Sequence, residues 1–261
     1  MWISVLEQQA DSCTIVDLFQ VQNCPTALGG QHPFRSLAQF LQSTEFVAAG
    51  IDAPFSVPAA YVPGGTHSNL LNIIARVDCL QRPFPTGGDL ISVCRSVSHG
   101  EPLPDRDRKV YRETDQLWIR RGLNVRSTLW NGPRGGAPFT AACLSFLGQV
   151  GLPIWPWSRD PGRLMVEAFP SAQLSAWRLP TSSYNGADDD RRRVRQAILD
   201  GIQAKADLKF GSPAHIDSAL NCADALDAVI CAFSGAAVAD HRLADEPSDS
   251  ANLEGWIAVK R

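Results

Sequence analysis

The stretch "AAGIDAPFSVP" (48–58) constrains the fold more than any other part of the chain. An apolar run from Phe46 to Ile51 reads as a buried strand, and it stops at a carboxylate, Asp52, just before Pro54 and Pro58, which forbid its continuation. An acid in that place either caps a turn or is delivered to a site at the end of a sheet. The second reading needs other carboxylates that reach the same strand end. Clustered carboxylates repel one another and are held together by a metal ion or a proton.

Alternating elements surround this strand. Trp2 to Leu6 and Cys13 to Val21 carry enough β-branched and aromatic residues for two strands, joined by a hairpin loop in the polar "EQQADS". Phe34, Leu37, Phe40 and Leu41 share one face of a short helix that leads into the strand ending at Asp52. From about 59 to 138 the pattern is irregular and rich in Gly, Pro and Arg, with helical stretches near Leu70 to Leu80 and Thr114 to Arg121. A helix then carries Phe139, Cys143, Phe146, Leu147 and Val150, and "RLMVEAF" (163–169) is a strand ending beside Glu167. "SAQLSAW" and "DDDRRRVRQAILDGIQ" follow as helices, the second with its acids at the end favoured by the helix dipole. The expectation is one α/β domain over 1–261, interrupted by a long insertion at about 59–138.

Composition narrows the function classes. With 261 residues, 44% hydrophobic and 20% charged, the chain can bury a substantial core. A net charge of −3 gives no global basic signature, so a polyanion would have to be met by a local patch. The seven cysteines have no zinc-like spacing, their number is odd, and no apolar run reaches membrane-spanning length, which points to a reduced cytoplasmic protein with no membrane partner. His32, His67, His99, His215 and His241 are scattered without ligand spacing, and the chain has no GxSxG elbow, Walker A loop or GxGxxG.

The segment 213–239, "PAHIDSALNCADALDAVICAFSGAAVA", is the most informative helix. At helical spacing Asp217, Asn221, Asp224 and Asp227 fall along one side, continued by Ala228, Cys231 and Gly235, while Cys222, Leu226, Val229, Ile230 and Phe233 occupy the other. A solvated polar stripe would explain the acids alone. Small residues extending the acidic line indicate that this side lies close against another element.

"GIDAPFSVP", "YRETD" (111–115), "IWPWSRDPGRLMVEAFPSAQL" (154–174), "DALDAVICAFSGAAVA" (224–239) and "EGWIAV" (254–259), in that order, resemble the domain of unknown function 429, a predicted ribonuclease H-like nuclease family. The resemblance covers nearly the whole chain. It implies a ribonuclease H-like mixed sheet flanked by helices, with Asp52, Asp224 and Asp227 clustered and Glu167 as a fourth member. The "ADALDA" spacing also resembles the terminal helix of Holliday-junction resolvases. Such oxygen donors are what Mg²⁺ or Mn²⁺ prefers, so the resemblance implies metal-dependent phosphodiester hydrolysis of a nucleic acid or nucleotide. The alternative is a catalytically impaired scaffold that keeps the fold to bind a nucleic acid or protein partner.

The resemblance also implies an earlier strand bearing Gly-x-Asp, whereas "MWISVLEQ" resembles the family's second strand. The expectation is a truncated form in which the inner edge of the Trp2 strand faces the strand ending at Asp52. Otherwise another segment or a partner chain fills the slot, or the two strands pair directly. Residues 105–134 contain eight Lys or Arg against four acids. These basic residues are either solvated surface or phosphate contacts, with Arg112, Arg120, Arg121 and Arg126 as the candidate substrate-binding residues. Arg191, Arg192, Arg193 and Arg195 read as a solvated helix face. Trp155 and Trp157 read as packing residues, with base stacking as the alternative.

Overall fold

A computed structural model describes residues 1–9, 12–24, 32–79, 82–96, 109–160 and 162–261. The β-branched and aromatic residues at the start of the chain form two long strands, β1 (Trp2–Gln9) and β2 (Ser12–Gln20), paired antiparallel from Trp2 opposite Gln20 to Gln9 opposite Ser12. β1 runs three residues beyond the expected Leu6, β2 is offset by one residue from the expected Cys13 to Val21, and the tip between them, at 10–11, lies outside the described residues. Helix α1 (Pro33–Ser43) starts on a proline at its first turn and leads to β3 (Ala48–Ile51).

Helices α2 (His67–Ala75), α3 (Gly87–Arg95) and α4 (Glu113–Arg120) arise within the expected insertion. Of these, α3 was not legible as a hydrophobic pattern. A capping box sets its start, with Thr86 Oγ1 accepting from the Asp89 amide and Asp89 accepting from the Thr86 amide. Leu70, Ile74, Leu90 and Cys94 pack α2 and α3 onto Ala141 and Leu144 of α5 (Ala137–Val150).

The chain continues through β4 (Leu164–Glu167), α6 (Pro170–Ala176), α7 (Asp189–Ala206) and a short strand that the sequence did not indicate, β5 (Leu208–Phe210). The segment expected to be one helix over 213–239 is two, α8 (Pro213–Asn221) and α9 (Ala223–Ala239), bent by 113°. Cys222 adopts an extended conformation at the break and cannot continue the helical ladder. Asp217 and Asn221 therefore leave the acidic line, which keeps Asp224 and Asp227. A four-residue helix, α10 (Ala251–Glu254), closes the described elements.

The fold is α/β with mixed strand pairing and flanking helices, and its strands form two sheets. One has the order β1-β2-β5, antiparallel then parallel, and the other is the parallel pair β3-β4. Helix α9 joins them. Its Leu226, Val229, Ile230 and Phe233 enter a core with Ile15 and Leu18 of β2, and its opposite side lies against β3. That contact is close enough that a Cβ on Gly50 would overlap the Cys231 carbonyl, and one on Gly235 would stand 3.0 Å from the Ala48 carbonyl. The small residues of the acidic side thus do lie against another element. Beyond the other face of β3 and β4, α1 and α5 supply Leu41, Phe146 and Leu147 around Met165. β1 and β3 are not paired with each other.

Candidate functional site

Asp52 follows β3 directly. The ladder runs out there because Ile51 accepts the Ala168 amide at 2.9 Å and the prolines then turn the chain away. Asp224 lies in the first turn of α9 and Asp227 one turn on, and all three carboxylates line one cleft between β1, β3 and α9. Their proximity is felt electrostatically. Asp52 is pushed up to about 6, first by the protein around it and then by Glu167 and Asp224, with Arg126 pulling the other way. Its side chain still keeps contact with water in the cleft, which softens this effect. Asp227 is pushed up to about 7 by burial and by Asp52 and Asp224, against a hydrogen bond that favours its charged form.

That hydrogen bond comes from a residue the sequence reading missed. Tyr184 Oη donates to Asp227 Oδ1 at 2.8 Å, and burial with the nearby Asp227 charge raises the phenol's own pKa. Tyr184 is held by Arg195, which is buried rather than part of a solvated face. The Arg195 guanidinium donates to the carbonyls of Tyr184, Gly186 (2.8 Å) and Leu220 (2.6 Å), which locks the loop before α7 onto α8. The available signal was a lone tyrosine in the polar loop "TSSYNGADDD".

Glu167 is placed in a different environment. Although it pairs in register with Ile51, its carboxylate is buried against Arg112, with contacts of 2.6 and 2.5 Å, and accepts the Phe55 amide at 3.0 Å. Arg112 is itself buried. Its remaining donors go to Asp115 at 2.9 and 3.1 Å and to the Glu254 carbonyl at 3.4 Å, so all five guanidinium N–H groups are satisfied inside the protein. Burial pushes Glu167 up and the guanidinium pulls it down. Sequence spacing could not distinguish a strand-end acid facing the cleft from one facing a buried arginine.

The other three arginines separate in the same way. Arg121 makes a two-pronged ion pair with Asp245, both contacts 2.6 Å, and stacks on Trp118, while Arg120 is exposed. Only Arg126 acts on the carboxylates. It is exposed, its guanidinium lies over Phe139 at the cleft wall, and its charge favours ionised Asp52. Arg106 and Arg108 lie outside the described residues. Trp155 is core, and Trp157 stacks on His67 at 3.5 Å and donates to the Asn252 carbonyl.

Among the described residues, no three His, Cys, Asp or Glu side chains are grouped so as to hold a metal ion. The donors at the cleft end suit a hard cation in kind, but their spacing does not form a ready ligand shell. No single described helix is long and apolar enough to cross a membrane.

Fold and cleft together define an α/β protein with three carboxylates lining a cleft at a strand end. The chain belongs to the protein family of unknown function DUF429, whose profile matches residues 2–252. No curated protein and no solved structure matches it.

Proposed function

We propose that this protein is a ribonuclease H-like phosphodiesterase acting on a nucleic acid or nucleotide, with Asp52, Asp224 and Asp227 holding Mg²⁺ or Mn²⁺. The ribonuclease H-like reading is supported by the element order: an antiparallel strand pair, a helix, a strand ending on an acid, a parallel neighbour, and a late helix with acids in its first two turns. The observation that carries the activity is the convergence of Asp52, Asp224 and Asp227 on one cleft end, where without a cation burial and the neighbouring carboxylates raise the pKa of Asp52 and Asp227. A bound divalent ion supplies charge neutralisation and a more acidic water. The chain's own groups do the rest. Tyr184 orients Asp227, and Arg126 offers a positive charge to a phosphate.

Titration calorimetry with Mn²⁺ tests this. Wild type binds, Asp224→Ala binds much less, and only wild type hydrolyses a chromogenic phosphodiester. A second reading, a non-catalytic scaffold, is favoured by the spacing of the acids and by the engagement of Glu167 with Arg112. An absence of Mn²⁺ binding at millimolar concentrations would select it.

A further inference from the structure

His67 lies outside the carboxylate cluster and reaches it through the backbone. Asp52 follows the last ladder residue of β3, and among the described residues the stretch 52–57 makes one backbone–backbone hydrogen bond, from the Ala53 amide to the Ile51 carbonyl at 2.9 Å. The sheet does not hold it. Its anchors are side chains and carbonyls of distant elements. Glu167 at the end of β4 accepts the Phe55 amide at 3.0 Å, and His67 Nε2 donates to the Phe55 carbonyl at 2.7 Å. Further on, Ser56 Oγ donates to the Leu253 carbonyl at 3.3 Å and Glu254 accepts the Ala59 amide at 3.0 Å. Phe55 is thus gripped on both sides of its backbone, and its ring is buried in the core with Leu147 and Met165.

Between Phe55 and Asp52 the chain has little freedom. Pro54 locks its own φ and restricts Ala53 before it, so fixing Phe55 also fixes the direction in which Asp52 leaves β3. The His67 ring is itself rigidly held. It is 4% exposed at the start of α2, behind the Thr66 cap, and lies flat on Trp157 with centroids 3.5 Å and planes 6° apart. Trp157 is fixed in turn by its 2.8 Å bond to the Asn252 carbonyl. Because a carbonyl only accepts, the ring proton sits on Nε2, and burial lowers the ring's pKa to about 4, which leaves a neutral donor at pH 7.

We propose that His67 is a positioning residue: by holding the Phe55 carbonyl while Glu167 holds the amide, it sets the turn that carries Asp52 to the cleft. A residue of the Gly-, Pro- and Arg-rich insertion thereby serves the site without touching it. The consequence for metal binding rests on the reading of Asp52 as a Mn²⁺ ligand given above, and the hold on the turn does not.

The test uses the full chain and two replacements. His67→Phe keeps a flat ring against Trp157 and removes the donor, and His67→Gln restores a neutral donor. In His67→Phe the Ala53 and Phe55 amides should exchange roughly tenfold faster while those of α9 keep wild-type protection, and Mn²⁺ affinity by calorimetry should fall roughly tenfold. His67→Gln should recover most of both. If His67→Phe does not fold, Trp157→Leu, at a half-buried position, removes the stacking and keeps the donor, and should give a smaller loss of the same kind. Wild-type Mn²⁺ affinity in whichever of these variants folds would leave His67 a purely structural role and overturn the proposal. So would a His67→Gln protein no better than His67→Phe. A wild type that binds no Mn²⁺ overturns the metal reading instead. Exchange then decides alone, and unchanged protection of Ala53 and Phe55 in the variant that folds overturns the positioning role.

Discussion

Replacing Glu167 with alanine opens the buried ion network at its most demanding point. The substitution removes the acceptors of the 2.6 and 2.5 Å contacts from Arg112 and of the 3.0 Å bond from the Phe55 amide. Arg112 keeps Asp115, so the guanidinium is not stripped of all countercharge, but two of its N–H groups and one backbone amide are left buried without partners. Each unsatisfied buried donor costs about 1–3 kcal/mol, and opening a buried ion pair from one side costs about 3–5 kcal/mol in all. Taking about 4 kcal/mol, and roughly 2–4 °C per kcal/mol for a chain of this size, the melting temperature should fall by roughly 8–16 °C. Thermal and urea unfolding followed by circular dichroism measure it. A melting temperature within about 1 °C of wild type would refute the reasoning. Glu167→Gln keeps the shape and one acceptor, so it should be milder and leave Mn²⁺ affinity unchanged. A metal ligand would behave in the opposite way, losing affinity while stability held.

Other outcomes follow from the cleft. Asp52 and Asp227 keep their protons to about 6 and about 7, whereas the unfolded chain releases them near 3.8, so the native state holds more protons in that window. Stability should therefore fall as pH rises from about 4 through 7, and Asp227→Asn should flatten the fall by on the order of 2 kcal/mol after allowance for cleft water, read as urea midpoints across pH. Tyr184→Phe removes the hydrogen bond that favours ionised Asp227, so the carboxyl should titrate higher still by carbon-detected NMR. Gly50→Val forces β3 off the Cys231 carbonyl and should cost roughly 3 kcal/mol or more, measured by urea unfolding. If a nucleic acid binds, Arg126→Ala should lower the salt-dependence slope by about one, while Arg121→Ala, whose partner is Asp245, should leave it unchanged in filter-binding titrations.

Much of this arrangement was legible in the chain alone. The apolar run into Asp52 marked a strand end, because a hydrophobic tract halted by an acid and two prolines has few other solutions. The spacing of Asp224, Asp227, Ala228, Cys231 and Gly235 marked the side of a helix that packs closely, since only small residues let a helix meet a strand backbone. These are local signals, carried by residue type and period. What the tertiary structure alone decided was direction and partnership. Whether Glu167 faces the cleft or Arg112, whether Arg195 is solvated or holds the Tyr184 loop, and whether the helix runs through Cys222 or breaks there depend on atoms distant in sequence. A buried charge takes its role from whichever distant group satisfies it, and neither composition nor spacing records which group that is. The empty register between β1 and β3 is of the same kind. Each strand is complete as a local pattern, and their shared packing on α9 sets the two backbone edges facing one another with no described strand between them.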